Sequence, residues 1–194
     1  MFNGIIYKQG KIQKIIRQSR NSILLLKTNM KFNKKEIGSS VSCNGICLTI
    51  YKIKKNVIFF FLSQETLQRS NFKFLKTGDS INIEKSLLFG KRISGHYLQG
   101  HIDTTSKILK LKRIGKSCFI RFSTNSSDTK YLVEKGSIGI NGVSLTISKL
   151  FKNAFEINAI PHTLKLTNLS KLKKGDKVNI EFDLIGKYLN NIYN

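Results

Sequence analysis

Residues 65–84, ETLQRSNFKFLKTGDSINIE, are followed 97 residues later by residues 162–181, HTLKLTNLSKLKKGDKVNIE. Thr66 falls on Thr163, Leu67 on Leu164, Asn71 on Asn168, Leu75 on Leu172 and Gly78–Asp79 on Gly175–Asp176. Both runs close with Asn-Ile-Glu, at 82–84 and 179–181. The same register holds upstream, where SVSCNGICLTI at residues 40–50 is echoed by SIGINGVSLTI at 137–147. A register kept over so many positions marks a duplicated chain, which restricts the fold to two copies of one unit. Half of the 194 residues is enough for a unit with a core of its own.

Within each unit the pattern is that of short strands. Asn44–Gly45 and Asn141–Gly142 sit between alternating apolar runs, the strongest short-range signal for a two-residue hairpin whose turn needs positive φ. In the first unit, residues 1–12 (MFNGIIYKQGKI) read as a strand that starts at the N-terminus and bends or ends near Gly10. Ser22–Thr28 and residues 56–62 (NVIFFFL) read as buried strands, and residues 80–84 (SINIE) as an alternating one. Residues 31–36 form a polar connection, 64–69 turn away from the strand before them, and 71–75 predict a short helix. The second unit begins at Gln99–Gly100 as the first does at Asn3–Gly4, with strands at 118–123 and 154–160 and a helical turn at 128–134.

Six such strands close well as a small barrel. The expected fold is all-β: two tandem similar six-stranded antiparallel β-barrels, residues 1–90 and 97–183, plus a short C-terminal α-helix, residues 184–194. That last segment spaces Leu184, Ile185, Tyr188, Leu189, Ile192 and Tyr193 as one apolar stripe, which must pack on a barrel or on copies of itself.

Composition narrows the partners. The net charge of +23 comes from 34 Lys and Arg against 11 Asp and Glu, but the basic residues are scattered through both halves. An RNA-binding barrel would cluster them beside exposed stacking aromatics, whereas Phe59, Phe60 and Phe61 lie in an apolar run; no nucleic-acid partner is expected. The N-terminus lacks the basic-then-apolar pattern of a signal peptide, and no apolar run approaches a membrane span. Cys43, Cys47 and Cys118 read as free thiols of a reducing compartment. The expected location is cytoplasmic, with no membrane partner.

The chain offers little chemistry of the familiar kinds. Cys43 and Cys47 straddle an Asn-Gly turn, and no second Cys or His pair completes a metal site, so no metal is expected. No phosphate loop or dinucleotide motif is present. Catalysis would rest on hydroxyls, imidazoles and backbone groups without a cofactor. The most loaded segment is GHYLQGHID at residues 95–103, which joins the units and holds His96 and His101. Read as a strand, it would put these two on opposite faces.

Taken together, MFNGII, NGICLTI, GHYLQGHID, EKGSIGINGVSLT, IPHTL and GDKVNIEFD resemble the alpha-type riboflavin synthases, in order and over nearly the whole chain. The resemblance implies a transferase acting in the final step of riboflavin biosynthesis. Two 6,7-dimethyl-8-ribityllumazine molecules exchange a four-carbon unit, giving riboflavin and 5-amino-6-(ribitylamino)uracil with no cofactor. It also implies a homotrimer with each site between one subunit's N-barrel and a neighbour's C-barrel, and association with lumazine synthase. A non-catalytic lumazine- or flavin-carrying relative is the competing reading.

Carried over residue by residue, the resemblance puts Gly4, Ile5, Ile6, Ser40, Cys47, Leu48, Thr49, Phe61, Leu62, Ser63, Gln64, Glu65 and Thr66 in an N-barrel site. A C-barrel site would use Gly100, His101, Ile102, Lys135, Ser144, Leu145, Thr146, Asn158, Ala159, Ile160, Pro161, His162 and Thr163. Backbone groups of these strands suit a pyrimidinedione edge, and the threonine hydroxyls suit ribityl or ring polar atoms. For chemistry, Cys47 and Ser144 are the candidate nucleophiles or water-positioning groups. His101 is assigned proton transfer, with His96 supporting the linker. Asp183 would orient a hydroxyl or histidine across the subunit boundary, and Phe2 would wall the pocket. Asn141 serves the second turn as well as an aspartate would, without its charge.

Overall fold

The computed structural model describes residues 1–193; the side chain of Tyr193 and residue Asn194 lie outside the described part. Twelve strands form two closed barrels among these residues. The first comprises β1 (Lys8–Arg17), β2 (Ser22–Thr28), β3 (Ser40–Cys43), β4 (Ile46–Lys54), β5 (Val57–Leu62) and β6 (Ser80–Lys85), ordered β1-β2-β5-β4-β3-β6. The second repeats it with β7 (Thr104–Ile114), β8 (Ser117–Ser123), β9 (Ser137–Ile140), β10 (Val143–Phe151), β11 (Ala154–Ala159) and β12 (Lys177–Phe182). All pairings are antiparallel. Helices α1 (Gln64–Arg69) and α2 (Pro161–Leu166) occupy equivalent places, and α3 (Leu184–Tyr193) ends the chain.

The barrels are filled by inward-facing residues of alternating strands. Leu24, Leu26, Ile50, Ile58, Phe60 and Ile81 close the first core, and Ile108, Ile120, Phe122, Ile138, Ile147 and Ile157 the second. Alternation also decides which flanking residues point outward. In β4, Leu48 and Ile50 go in while Cys47 and Thr49 go out; in β10, Leu145 and Ile147 go in while Ser144 and Thr146 go out.

The expected first strand is corrected at its start. Residues 1–7 are not part of β1, and Phe2 instead forms an isolated antiparallel bridge with Leu98. The segment 95–103 is likewise not a strand, so the opposite-face argument for His96 and His101 does not apply. Residues 64–69, read as a turn, form α1 because Ser63 caps it: the Ser63 hydroxyl accepts from the Thr66 N–H at 3.1 Å.

Both Asn-Gly pairs adopt the positive φ that such turns need, 49° and 83° in the first and 46° and 75° in the second. The two turns meet back to back. A Cβ added to Gly45 would fall 2.7 Å from the Gly142 nitrogen, and one on Gly142 would fall 2.6 Å from the Gly45 nitrogen. Around this contact lies a ring of buried asparagines from both halves. Asn82 N–H donates to Asn44 Oδ1 (2.8 Å) and Asn179 N–H to Asn141 Oδ1 (2.9 Å). Across the halves, the Asn82 amide donates to Asn141 O and the Asn179 amide to Asn44 O, both at 2.9 Å. Asn71 N–H and Asn168 N–H complete the pattern on Asn179 Oδ1 and Asn82 Oδ1. Each bond has its mate in the other half, so the barrels are related by an approximate two-fold axis through the turns. Asn71 Oδ1 and Asn141 Nδ2 are buried with no partner among the described residues, yet the symmetric bonds favour one relative orientation, which a purely apolar interface would leave freer to slide.

Candidate functional site

On each barrel an outward strand residue meets an arm from the other half. On the N-barrel, the Cys47 N–H donates to Gly100 O at 2.8 Å. On the C-barrel, the Ser144 N–H donates to Gly4 O, also at 2.8 Å. The arms are therefore exchanged relative to the sequence expectation. Gly4, Ile5 and Ile6 run along the C-barrel, with Ile6 in its core, while Gly100, His101 and Ile102 run along the N-barrel, with Ile102 packed on its core. The approach is close enough to require glycine. A Cβ on Gly4 (φ +72°) would stand 2.7 Å from Ser144 Cβ, and one on Gly100 (φ +81°) 2.6 Å from Cys47 Cβ.

The N-barrel cleft is an open cavity of about 390 Å³ bordered by Cys47, Ser63, Glu65, Thr66, Arg69 and His101, among others. Ser63 and Thr66 hydroxyls lie 3.0 Å apart at the start of α1. Glu65 pairs with Arg69 at 2.9 Å on its exposed rim. Thr49 and Phe61 face outward on the same barrel, Ser40 pairs with Thr49 in register, and Gln64 opens α1. Leu48 and Leu62 point into the core, so of these two only the backbone can meet a ligand.

The C-barrel site differs at matched positions. Ser144 replaces Cys47, and its Oγ lies 2.7 Å from His96 Nδ1. The histidine beside Ser144 is thus His96, which had been given only a supporting place, while His101 borders the cleft of Cys47. His96 is almost wholly buried, and that burial pushes its pKa below the ordinary value against the opposing charge of Asp183. Burial thus favours the uncharged ring, which can take a proton from a hydroxyl, and its Nε2 is buried with no partner among the described residues. Asp183 lies at the root of α3, where its Oδ1 accepts from the Ile185 N–H at 3.0 Å.

Thr146, Asn158, Ile160, Pro161 and His162 are exposed on the C-barrel and Thr163 is half-buried, whereas Leu145 and Ala159 point inward. Lys135 stands in the turn entering β9 with φ 68°, its N–H bonded to Ile147 O. Phe2 is fully buried and does not border the N-barrel cleft, and its backbone pairs with Leu98 at 2.7 and 3.1 Å.

Two residues outside the sequence-derived set bear on both sites. Glu84 accepts from the N–H groups of Asn3 (2.8 Å) and Gly4 (3.0 Å), and Glu181 from those of Gln99 (2.6 Å) and Gly100 (3.0 Å). Burial raises both carboxyls to about 7 despite these bonds. Their signal in the sequence was the repeated Asn-Ile-Glu, whose glutamates had been matched but given no task. Among the described residues no cluster of His, Cys, Asp or Glu is placed to hold a metal ion, and no helix is long and apolar enough to cross a membrane.

Comparison with known proteins agrees with this duplicated plan. The chain is 37% identical to the riboflavin synthase of Photobacterium leiognathi over 190 residues, 97% of this chain and 87% of that protein. It is 38% identical to the riboflavin synthase of Escherichia coli K12 over 186 residues, covering 94% and 87%. Among solved structures, LumP complexed with riboflavin superimposes with a TM-score of 0.84 at 25% identity, over 94% of this chain and 99% of that one. The lumazine binding domain matches residues 3–86 and again 99–183, one copy per barrel, and the chain belongs to that family.

Proposed function

We propose that this protein is a riboflavin synthase, binding one ribityllumazine at each type of cleft and transferring a four-carbon unit between them. The observation that carries the reading is the Ser144–His96 pair at 2.7 Å, on the barrel face equivalent to that of Cys47. A reaction between two copies of one substrate calls for two similar sites, and duplication of the clefts supplies them. The neutral His96 acts through Ser144 as the base for the acidic exocyclic methyl of one ligand, whose anion delocalises into the lumazine ring. Cys47, with His101 beside the same cleft, serves the second ligand as nucleophile or as the group that positions water. Thr49 and Thr146 offer hydroxyls to the ligands, as do Thr66 and Thr163. The sites of one chain face those of a neighbour in a trimer, joined by α3, whose Ile185, Tyr188, Leu189 and Ile192 are exposed.

The test is turnover of 6,7-dimethyl-8-ribityllumazine as sole substrate, with riboflavin and the ribitylaminouracil expected in equal amounts. A second reading, a carrier that binds lumazine or flavin and does no chemistry, is favoured by the likeness to LumP, which was solved with riboflavin bound. Binding with no riboflavin formed would select it.

A further inference from the structure

We propose that Glu84 and Glu181 are positioning residues, each holding an arm that completes the ligand site on the opposite barrel. Glu84 belongs to β6 of the N-barrel, and through Asn3 and Gly4 it fixes the arm whose Gly4 carbonyl receives the Ser144 N–H of the C-barrel. Glu181 belongs to β12 of the C-barrel, and through Gln99 and Gly100 it fixes the arm whose Gly100 carbonyl receives the Cys47 N–H of the N-barrel.

Both carboxylates do this with both oxygens. Glu84 gives Oε1 to Asn3 and Oε2 to Gly4. Glu181 gives Oε1 to Gln99 and Oε2, at the shorter distance, to Gly100. The two arms are joined to each other by the Phe2–Leu98 bridge, so each is tied down at its root, beside a glutamate and against the far barrel. The hydrogen bonds of both carboxylates go to backbone N–H groups of the arms, so the effect of each is the placement of the peptide it grips. The placement matters because a small displacement of Gly4 or Gly100 would move the strand residue bonded to it, and Ser144 and Cys47 are those residues. The consequence is crossed: damage to one barrel's glutamate is felt at the other barrel's site.

This deepens the reading given under Proposed function and rests on it only for the identity of the ligand. Amide hydrogen exchange of the full chain, followed by NMR without ligand, tests the placement itself. Glu181→Ala is expected to speed exchange at the Cys47 amide by about tenfold or more while leaving Ser144 unchanged, since bonds to a charged acceptor are lost. Glu84→Ala should do the reverse. Glu181→Gln and Glu84→Gln keep one acceptor oxygen; they should speed the same distant amide by roughly threefold, and they serve where an alanine variant does not fold. Faster exchange at the amide in the substituted residue's own barrel, at both amides alike, or at neither overturns the proposal. A separate arm uses riboflavin as probe: it should shield the Cys47 thiol of the unsubstituted protein from alkylation, and less so in Glu181→Gln. Absence of shielding in the unsubstituted protein counts against the ligand assignment, whereas the crossed exchange pattern is decided independently.

Discussion

At the scale of residues, the duplication is most informative where its copies disagree. Cys47 and Ser144 occupy one structural position, yet only Ser144 has a histidine at 2.7 Å. His96→Gln keeps much of the ring's volume and a polar terminus but cannot take up a proton at neutral pH. It should lower kcat by about a hundredfold or more with a small change in KM, measured by riboflavin formation. Cys47→Ser exchanges the thiol for a hydroxyl, the group its counterpart Ser144 carries, and should cost less than Ser144→Ala; equal losses would mean that the two sites do not divide the work as proposed. The sequence singled out Ser144 and Cys47 as candidate groups, and alternation along β10 and β4 turns both outward. It gave proton transfer to His101 and a supporting place to His96, and did not show that His96 lies beside Ser144, because that contact is made through a linker with no period to read. Leu48, Leu62, Leu145 and Ala159 entered the candidate set through the resemblance, and alternation turns their side chains inward.

At the scale of elements, the hairpins were legible and the arms were not. Asn-Gly between alternating runs has one dominant local solution, and both turns adopt it. What no local pattern shows is that the turns touch. Gly45→Ala would force an L side chain into φ +83° and against the Gly142 backbone, and should lower unfolding stability by more than about 2 kcal/mol in denaturant titration. The arms cross to the opposite barrels through contacts such as Ser144 to Gly4, which lie far apart in sequence, and a reader of the chain naturally leaves each arm with its own barrel. Their anchors make stability depend on pH. Glu84 faces the Asn3, Gly4 and Ile5 N–H groups and the N-terminal amine; Glu181 faces the Gln99 and Gly100 N–H groups, Lys187 and Asp103. Because burial raises both carboxyls to about 7, the folded state binds their protons more tightly than the unfolded chain does. The resulting stability is full below about pH 4.5 and is lost as pH rises through 7, by about 3 kcal/mol per carboxylate. Unfolding titrations at pH 5 and pH 8 should show this difference in the unsubstituted protein and a smaller one in Glu84→Gln and Glu181→Gln.

At the scale of the whole molecule, an approximate two-fold axis brings two lumazine-binding barrels together and sets α3 outside both cores. The helix is tied to its own chain at its root, by Lys187 to Asp103 at 3.0 Å, while Ile185, Tyr188, Leu189 and Ile192 remain exposed. The stripe was plain in the sequence; its two possible partners were not distinguishable there, and among the described residues none of its side chains belongs to a barrel core. Removing residues 184–194 should convert a trimer to monomers by light scattering while leaving both barrels folded. The same mass before and after removal would leave α3 no part in assembly. The most direct measurement remains the simplest. Purified protein given 6,7-dimethyl-8-ribityllumazine alone should produce riboflavin and 5-amino-6-(ribitylamino)uracil one for one, whereas tight binding of the lumazine with no riboflavin produced would contradict the account.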